Sequence, residues 1–464
     1  MTAWLLVVFA LAQQAEHSHP PASSAVAIEL GARPTTIRTG IGSAHDTVGT
    51  TSKQAQAFYD QGLSYLHSYV WLEAARSFNQ ALRLDPKLAA YRAALDQALA
   101  KYPADEELWL QRGQAESPDP AERGQGSTAA SIRFYEKALA LAPAHFAAHH
   151  YLTHAHENSG RIQEALTSGA TYARMAPGVP HARHMLGHNL RRVGRIDEAI
   201  AEFRAADAIE SAYFTAEKIP VEYDWHYHHN LDLLATSYQY VGQMTKAEAL
   251  LKASFAIPST LLVQEFNKRE WPVFLLARGR AREALDAANV LAAHRSPVVS
   301  ATGHVMAGHA RLALGQYQAA ADEANAALRL MRDSPGRAGL VATPLQALQG
   351  EFFVRTGRRE KGRPMLEEVA RKARAAPGPD AWTQALFTLE GIARAAREVG
   401  DWELGGWAAR QMLDHDPNYA GTHYALALVA EHNGDGAIAR AERALVEKYW
   451  KNADRDLPEL AARR

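Results

Sequence analysis

From Lys53 onward, apolar and small residues recur at helical spacing, and the whole pattern returns about every 34 residues. With Ala55 as position 1, Phe58, Gly62 and Tyr65 stand at positions 4, 8 and 11. Ala74, Phe78, Ala81 and Pro86 follow at positions 20, 24, 27 and 32. The unit predicts two helices joined by a short turn. Gly62 and Ala74 are small where the helices must cross closely, Phe58 and Phe78 fill the space between them, and Pro86 stops the second helix.

The same frame returns downstream. Units begin near Phe146 (Leu152, Ala165, Pro177), Pro180 (Leu186, Gly187, Ala199, Phe203, Ala206) and His228 (Leu231, Tyr238, Ala247, Leu251). Weaker copies start near Glu265, Ala301, Thr343, Leu386 and Ala420. A divergent unit runs from Glu106 to Pro143, with a polar insertion in its turn at Ser117–Ser127. This spacing resembles the tetratricopeptide repeat, and it implies an all-α fold, a right-handed α-solenoid superhelix of helix pairs without β-sheet. The first helix of each pair would line the concave face.

Residues 1–12 hold a short apolar run, Trp4 to Ala12, ending in a small-x-small pattern before Gln13. They read as a signal peptide and place the chain in the periplasm or outside the cell, with a cytoplasmic chain as the alternative. Residues 13–52, rich in Ser, Thr, Pro, Gly and Ala, read as a flexible leader. The expected organisation continues with N-terminal repeats at 53–143, a central His-rich array at 144–260, and divergent repeats with a closing helix at 261–464. No apolar run reaches the roughly 18 residues a membrane span needs.

Composition narrows the chemistry. Fifty Lys and Arg balance 51 Asp and Glu, which argues against a nucleic-acid binder. The absence of cysteine excludes disulfides, thiolate metal sites and a thiol nucleophile. No phosphate-cradling glycine loop, G-x-S-x-G elbow or H-E-x-x-H helix is present, so no catalytic residue is assigned. Histidine stands out at 21 copies.

The histidines fall on one stripe. On the first helix of a repeat, positions 2, 5, 9, 12 and 13 share the groove-facing side. His150 and His154 take positions 5 and 9 of their unit; His181, His184 and His188 take 2, 5 and 9 of the next. His229 and Asp232 take 2 and 5 of the third, His67 takes position 13 of the first, and Arg191 and Arg192 take 12 and 13 beside His188. These ten residues form the candidate ligand-binding groove. His150/His154 and His184/His188 are i, i+4 pairs, a spacing that lets two imidazoles share a metal, and His229 completes the candidate metal set. Copper, zinc or iron would suit such donors, and Asp232 or Glu157 could add oxygen. A structural hydrogen-bonded network and a pH-sensitive partner site stand beside that reading. Arg191 and Arg192 could grip an anion or simply finish a solvated helix end. His149, His156, His304 and His423 read as packing residues, His309 as a marginal groove residue, and His226 and His228 as extending the cluster or capping a helix.

Beyond the repeat itself, the chain resembles a family of bacterial tetratricopeptide proteins, often exported. The resemblance runs through Phe58–Trp71 (FYDQGLSYLHSYVW), His149–Ala155 (HHYLTHA), His181–Gly194 (HARHMLGHNLRRVG), Tyr227–Ala235 (YHHNLDLLA) and Tyr449–Leu457 (YWKNADRDL). Here Leu186-Gly187 replaces the family's Pro-Ser before the last His, and Asp232 stands where a second His is common. The resemblance implies a helical-repeat groove with a histidine-lined centre and no particular activity. The functional expectation is a binding or assembly module for a protein, peptide or small ligand, with a metal-binding protein using the same histidines as the alternative.

Overall fold

The computed structural model describes residues 30, 33–48, 50–84, 110, 117, 127–259, 261–334, 339–376 and 380–461. The proposed signal segment, Pro86, and nearly all of the divergent unit from Glu106 up to 126 lie outside them. Among the described residues all regular structure is helical, and no helix is long and apolar enough to cross a membrane. The chain divides into two compact units, up to Asn230 and from Leu231.

In the first unit the helices are α1 (Lys53–Leu66), α2 (Trp71–Leu84), α3 (Thr128–Leu141), α4 (Phe146–Asn158), α5 (Ile162–Met175), α6 (Pro180–Arg192) and α7 (Ile196–Glu217), followed by the start of α8 (Trp225–Tyr240). Helices α1/α2, α4/α5 and α6/α7 pack as adjacent pairs, the α-solenoid construction that the period implies. Ser52 and Ser127 cap α1 and α3 by accepting from the amides of Ala55 and Ala130, and Pro180 opens α6, where a missing N–H costs nothing. The small position 8 behaves as its neighbours demand. A Cβ on Gly62 would stand 2.5 Å from the Phe78 ring, and one on Gly187 would stand 2.6 Å from the Phe203 ring.

The turn between paired helices is equally regular. Gly160, Gly194 and Gly242, each at position 15, hold φ of 76°, 78° and 77°. Only glycine takes this left-handed conformation without a steric penalty. The first repeat has Tyr69 at that position, and it holds φ 57°.

Residues 33–48 depart from the flexible leader expected of their composition. They form a strap over the first helix pair, with Thr35, Ile41 and Val48 buried. Gln61 accepts from the Arg38 amide and donates to the Thr36 carbonyl, and Gly40 accepts from the Gly178 amide at 2.5 Å. Buried Arg76 ties the strap to α7: it donates to the Pro34 carbonyl at 2.7 Å and pairs with Glu73 and Glu217. Composition alone reads as a loop, but these polar partners lie on three different helices.

The second unit continues the pairing through α9 (Met244–Ala256), α10 (Leu262–Asn267), α11 (Glu270–Ala277), α12 (Ala281–Ala292), α13 (Pro297–Ala313), α14 (Tyr317–Asp333), α15 (Gly339–Arg355), α16 (Arg359–Ala375), α17 (Ala381–Glu398), α18 (Trp402–His415), α19 (Ala420–His432), α20 (Gly436–Tyr449) and α21 (Pro458–Ala461). The weak copies near Ala301, Thr343, Leu386 and Ala420 fall on α13, α15, α17 and α19.

Candidate metal centre

Helices α4, α6 and α8 are the first helices of three successive repeats, and their histidines meet in two triads. His150 and His154 of α4 meet His181 of α6; His184 and His188 of α6 meet His229 of α8. Within each triad the candidate donor atoms lie within 4.8 Å of one another. In each, two members are buried and the third, His154 or His229, is half-buried, so each triad keeps a face toward solvent.

The first triad closes on nitrogen atoms. His150 Nε2 stands 2.9 Å from His181 Nε2 and 3.1 Å from His154 Nε2. The other nitrogen of His150 faces the His67 carbonyl oxygen at 2.6 Å. A carbonyl only accepts, so Nδ1 carries the proton and Nε2 of the neutral ring presents a lone pair to the other two rings. Three nitrogens at such spacings fit a small cation. Tetrahedral zinc with Zn–N of 2.0–2.1 Å requires neighbouring nitrogens about 3.3 Å apart.

The second triad is oriented by an amide. Asn230 Nδ2 donates to the Phe203 carbonyl at 2.9 Å, which leaves Oδ1 to accept from His184 Nδ1–H at 2.9 Å. His184 Nε2 is buried and has no hydrogen-bond partner among the described residues. His188 Nδ1 lies 3.6 Å from the Glu157 carboxylate, so Glu157 stands behind an imidazole. Such second-layer oxygens fix tautomer and ring orientation at metal sites.

His226 stands beside both triads. Its Nδ1 bonds the buried Glu210 carboxyl group, its Nε2 has no hydrogen-bond partner among the described residues, and its ring lies 4.4 Å from that of His184 and 5.0 Å from that of His181. Asp224 accepts from the His226 and Tyr227 amides and so caps α8. An aromatic wall flanks the first triad. Trp71 stacks on Trp225, Trp225 donates its indole N–H to the Tyr69 carbonyl at 3.1 Å, and the Tyr69 ring faces His150 and His181 at 4.7 and 5.5 Å.

Burial sets the charge state. It pushes His150, His181 and His184 well below the ordinary imidazole range, and neighbouring histidines push them further. Burial likewise brings His226 down to about 4 and lifts Asp224 to about 6, while Glu210 rises well above the carboxylate range. The four imidazoles are therefore neutral at neutral pH and available as donors.

Other sequence candidates sit elsewhere. His67 serves through its backbone, while its Nδ1 meets the Tyr151 hydroxyl at 3.3 Å. Arg191 is buried, its guanidinium 6.0 Å from the Phe203 ring centre; Arg192 is half-buried at the end of α6. Asp232 belongs to the second unit, where it accepts from Ser254 at 3.2 Å, and burial lifts its carboxyl well above the usual range. His309 bonds Glu351 in the second unit and joins no triad. His181 belongs to a triad although the sequence-based metal set omitted it. The sequence pattern carried no signal for Asn230 or Glu210; only the chain's own folding sets them behind His184 and His226.

Residues 180–213, which are α6 and most of α7, match the tetratricopeptide repeat model. Repeats of this kind mediate protein interactions and assembly, and the matched unit carries three of the six triad histidines. No curated protein sequence matches the chain. Among solved structures, the chain is similar to one in the crystal structure of the APC/C hetero-tetramer Cut9-Hcn1, with 14% identity, 86% of this chain and 74% of that chain covered, and a TM-score of 0.34.

Proposed function

We propose that this tetratricopeptide-repeat chain is an interaction scaffold whose histidine stripe is a transition-metal centre, built from the His150/His154/His181 and His184/His188/His229 triads. One observation carries the reading. In both triads an imidazole has its Nδ1–H held by an uncharged oxygen, from His67 or Asn230, while its Nε2 turns to the neighbouring rings. A structural network can use one such contact at a time as an N–H···N hydrogen bond, whereas a cation would take all three nitrogens of a triad at once.

The donor set narrows the ion. Neutral imidazoles without thiolates favour copper or zinc over magnesium, calcium or manganese, and iron usually takes a carboxylate as well. When bound, such an ion supplies Lewis acidity or an exchangeable coordination position. The chain's own part is to hold the rings neutral, fix their tautomers and keep bulk water away on the buried side. Half-buried His154 and His229 leave the face on which a peptide side chain or small ligand would reach the ion.

The test is elemental analysis of the purified chain beside the His184→Ala/His188→Ala double variant, with helicity and melting recorded for both. Copper or zinc in the parent, missing from the variant while the helix content holds, supports the centre. A metal-free parent whose variant melts far lower makes the cluster a structural network.

A further inference from the structure

We propose that the centre takes two ions of one transition metal, one at each triad, and that His226 is a seventh donor set between them. The proposal rests on the metal reading above. Its first support is spatial: α6 gives His181 to one triad and His184 to the other, with ring centres 5.9 Å apart. Three residues is just under one helical turn, so both side chains lean to the same side of α6 yet reach different neighbouring helices. A single small ion cannot take all six rings within bonding distance of about 2 Å.

The second support is His226. Its ring closes a triangle with His181 and His184, at 5.0 and 4.4 Å. Nδ1 is engaged by Glu210, which is itself 2% exposed, so Nε2 is the nitrogen left for a ligand. That nitrogen is buried and has no hydrogen-bond partner among the described residues. An imidazole with an acidic side chain behind one nitrogen, and no hydrogen-bond partner among the described residues on the other, matches the usual environment of a metal-bound histidine. Buried polar atoms are otherwise nearly always paired, so the vacant Nε2 calls for a ligand. The nearer ring is that of His184, so we assign His226 to the ion of the second triad; its nitrogen lies outside the 4.8 Å set of His184, His188 and His229, and it would join them as a fourth donor when the ion draws the rings together. Four imidazoles complete a tetrahedral or tetragonal ion; three in the first triad leave one position open.

The experiment titrates the full, metal-stripped chain with zinc against a competing chelator, and repeats it with copper(I) without oxygen. The parent, His226→Gln and Glu210→Gln are compared, with circular dichroism and melting to certify folding. The expected result is two equivalents in the parent, with one of them weakened 10- to 100-fold in both variants and the other unchanged. Glu210→Gln keeps the shape and an acceptor oxygen, so it reports the role of the second-layer carboxylate even where His226→Gln lowers stability. One equivalent in the parent overturns the two-ion centre while leaving the metal reading intact. Zero equivalents overturn both. Two equivalents bound equally well by parent and variants overturn the assignment of His226.

Discussion

The ring of Tyr69 stands 4.7 Å from the ring of His150, and Tyr69 holds that place with a left-handed backbone, φ 57°. At the same repeat position Gly160 and Gly194 hold the same region without cost. A tyrosine there carries on the order of 1–2 kcal/mol of strain, so the surrounding contacts must over-determine it. They do so on both sides: the ring packs on the first triad, and the carbonyl accepts from Trp225.

Tyr69 therefore makes an unusual substitution series. Glycine normally destabilises more than alanine, but at this φ the order reverses. Both changes lose the ring packing, and Tyr69→Ala keeps the backbone strain that Tyr69→Gly relieves. Urea unfolding is expected to show Tyr69→Gly more stable than Tyr69→Ala by about 1 kcal/mol. An alanine variant as stable as the glycine variant would mean the turn rearranges and the strain is not held.

Gly187 tests the close crossing of α6 and α7. A methyl group there meets the Phe203 ring at 2.6 Å, and Phe203 lies 5.5 Å from the His184 ring. Gly187→Ala is expected to cost about 1–3 kcal/mol by overpacking and, under the proposed metal reading, to weaken zinc binding as Phe203 shifts. Unchanged melting would show that the helices separate freely at this point.

Asn230 orients His184 and satisfies the Phe203 carbonyl at the same time. Asn230→Leu keeps the branched shape, in a somewhat larger side chain, and removes both bonds. If the proposed centre holds, zinc affinity at the second triad falls 10- to 100-fold, and stability drops by about 1–3 kcal/mol because the buried His184 Nδ1–H loses its acceptor. Competition titration and thermal melting of the same sample separate the two effects, and full affinity in the variant would remove Asn230 from the centre.

Glu351 sets an acid-limb prediction in the second unit. Burial opposes its charge, yet the hydrogen bond from His309 and the Arg355 guanidinium outweigh burial and hold the carboxyl at about 2. The folded value is depressed below the ordinary 4.3, so the stabilisation is full above about pH 5 and disappears as pH falls through about 2. Against Glu351→Gln, the parent should be more stable at pH 6 by on the order of 2 kcal/mol, with the gap closing below pH 4. A gap independent of pH would assign the effect to shape and hydrogen bonding in place of charge.

Much of this arrangement is written in local spacing. The period, the small residues at position 8 facing Phe78 and Phe203, and the left-handed glycines at position 15 all follow from helix geometry and backbone sterics, which act over a few residues. The histidine stripe was legible for the same reason: i, i+4 side chains share a helix face whatever the helix packs against. Which rings meet was settled only by the tertiary structure. His181 goes to the α4 pair while His184 and His188 go to α8, because α6 lies between two helices and its side chains divide between them. Asn230, Glu210 and the His67 carbonyl orient rings 46, 16 and 83 residues away in the chain, a distance at which spacing carries no signal. Arg191 and Asp232 occupy groove positions by number, yet one is buried against Phe203 and the other pairs with Ser254. The strap at 33–48 is polar enough to read as a loop, and it is held by Gln61 and Arg76 because buried polar groups must find partners. Helical periodicity decides which face a residue takes, and the packing of distant helices decides what that face meets.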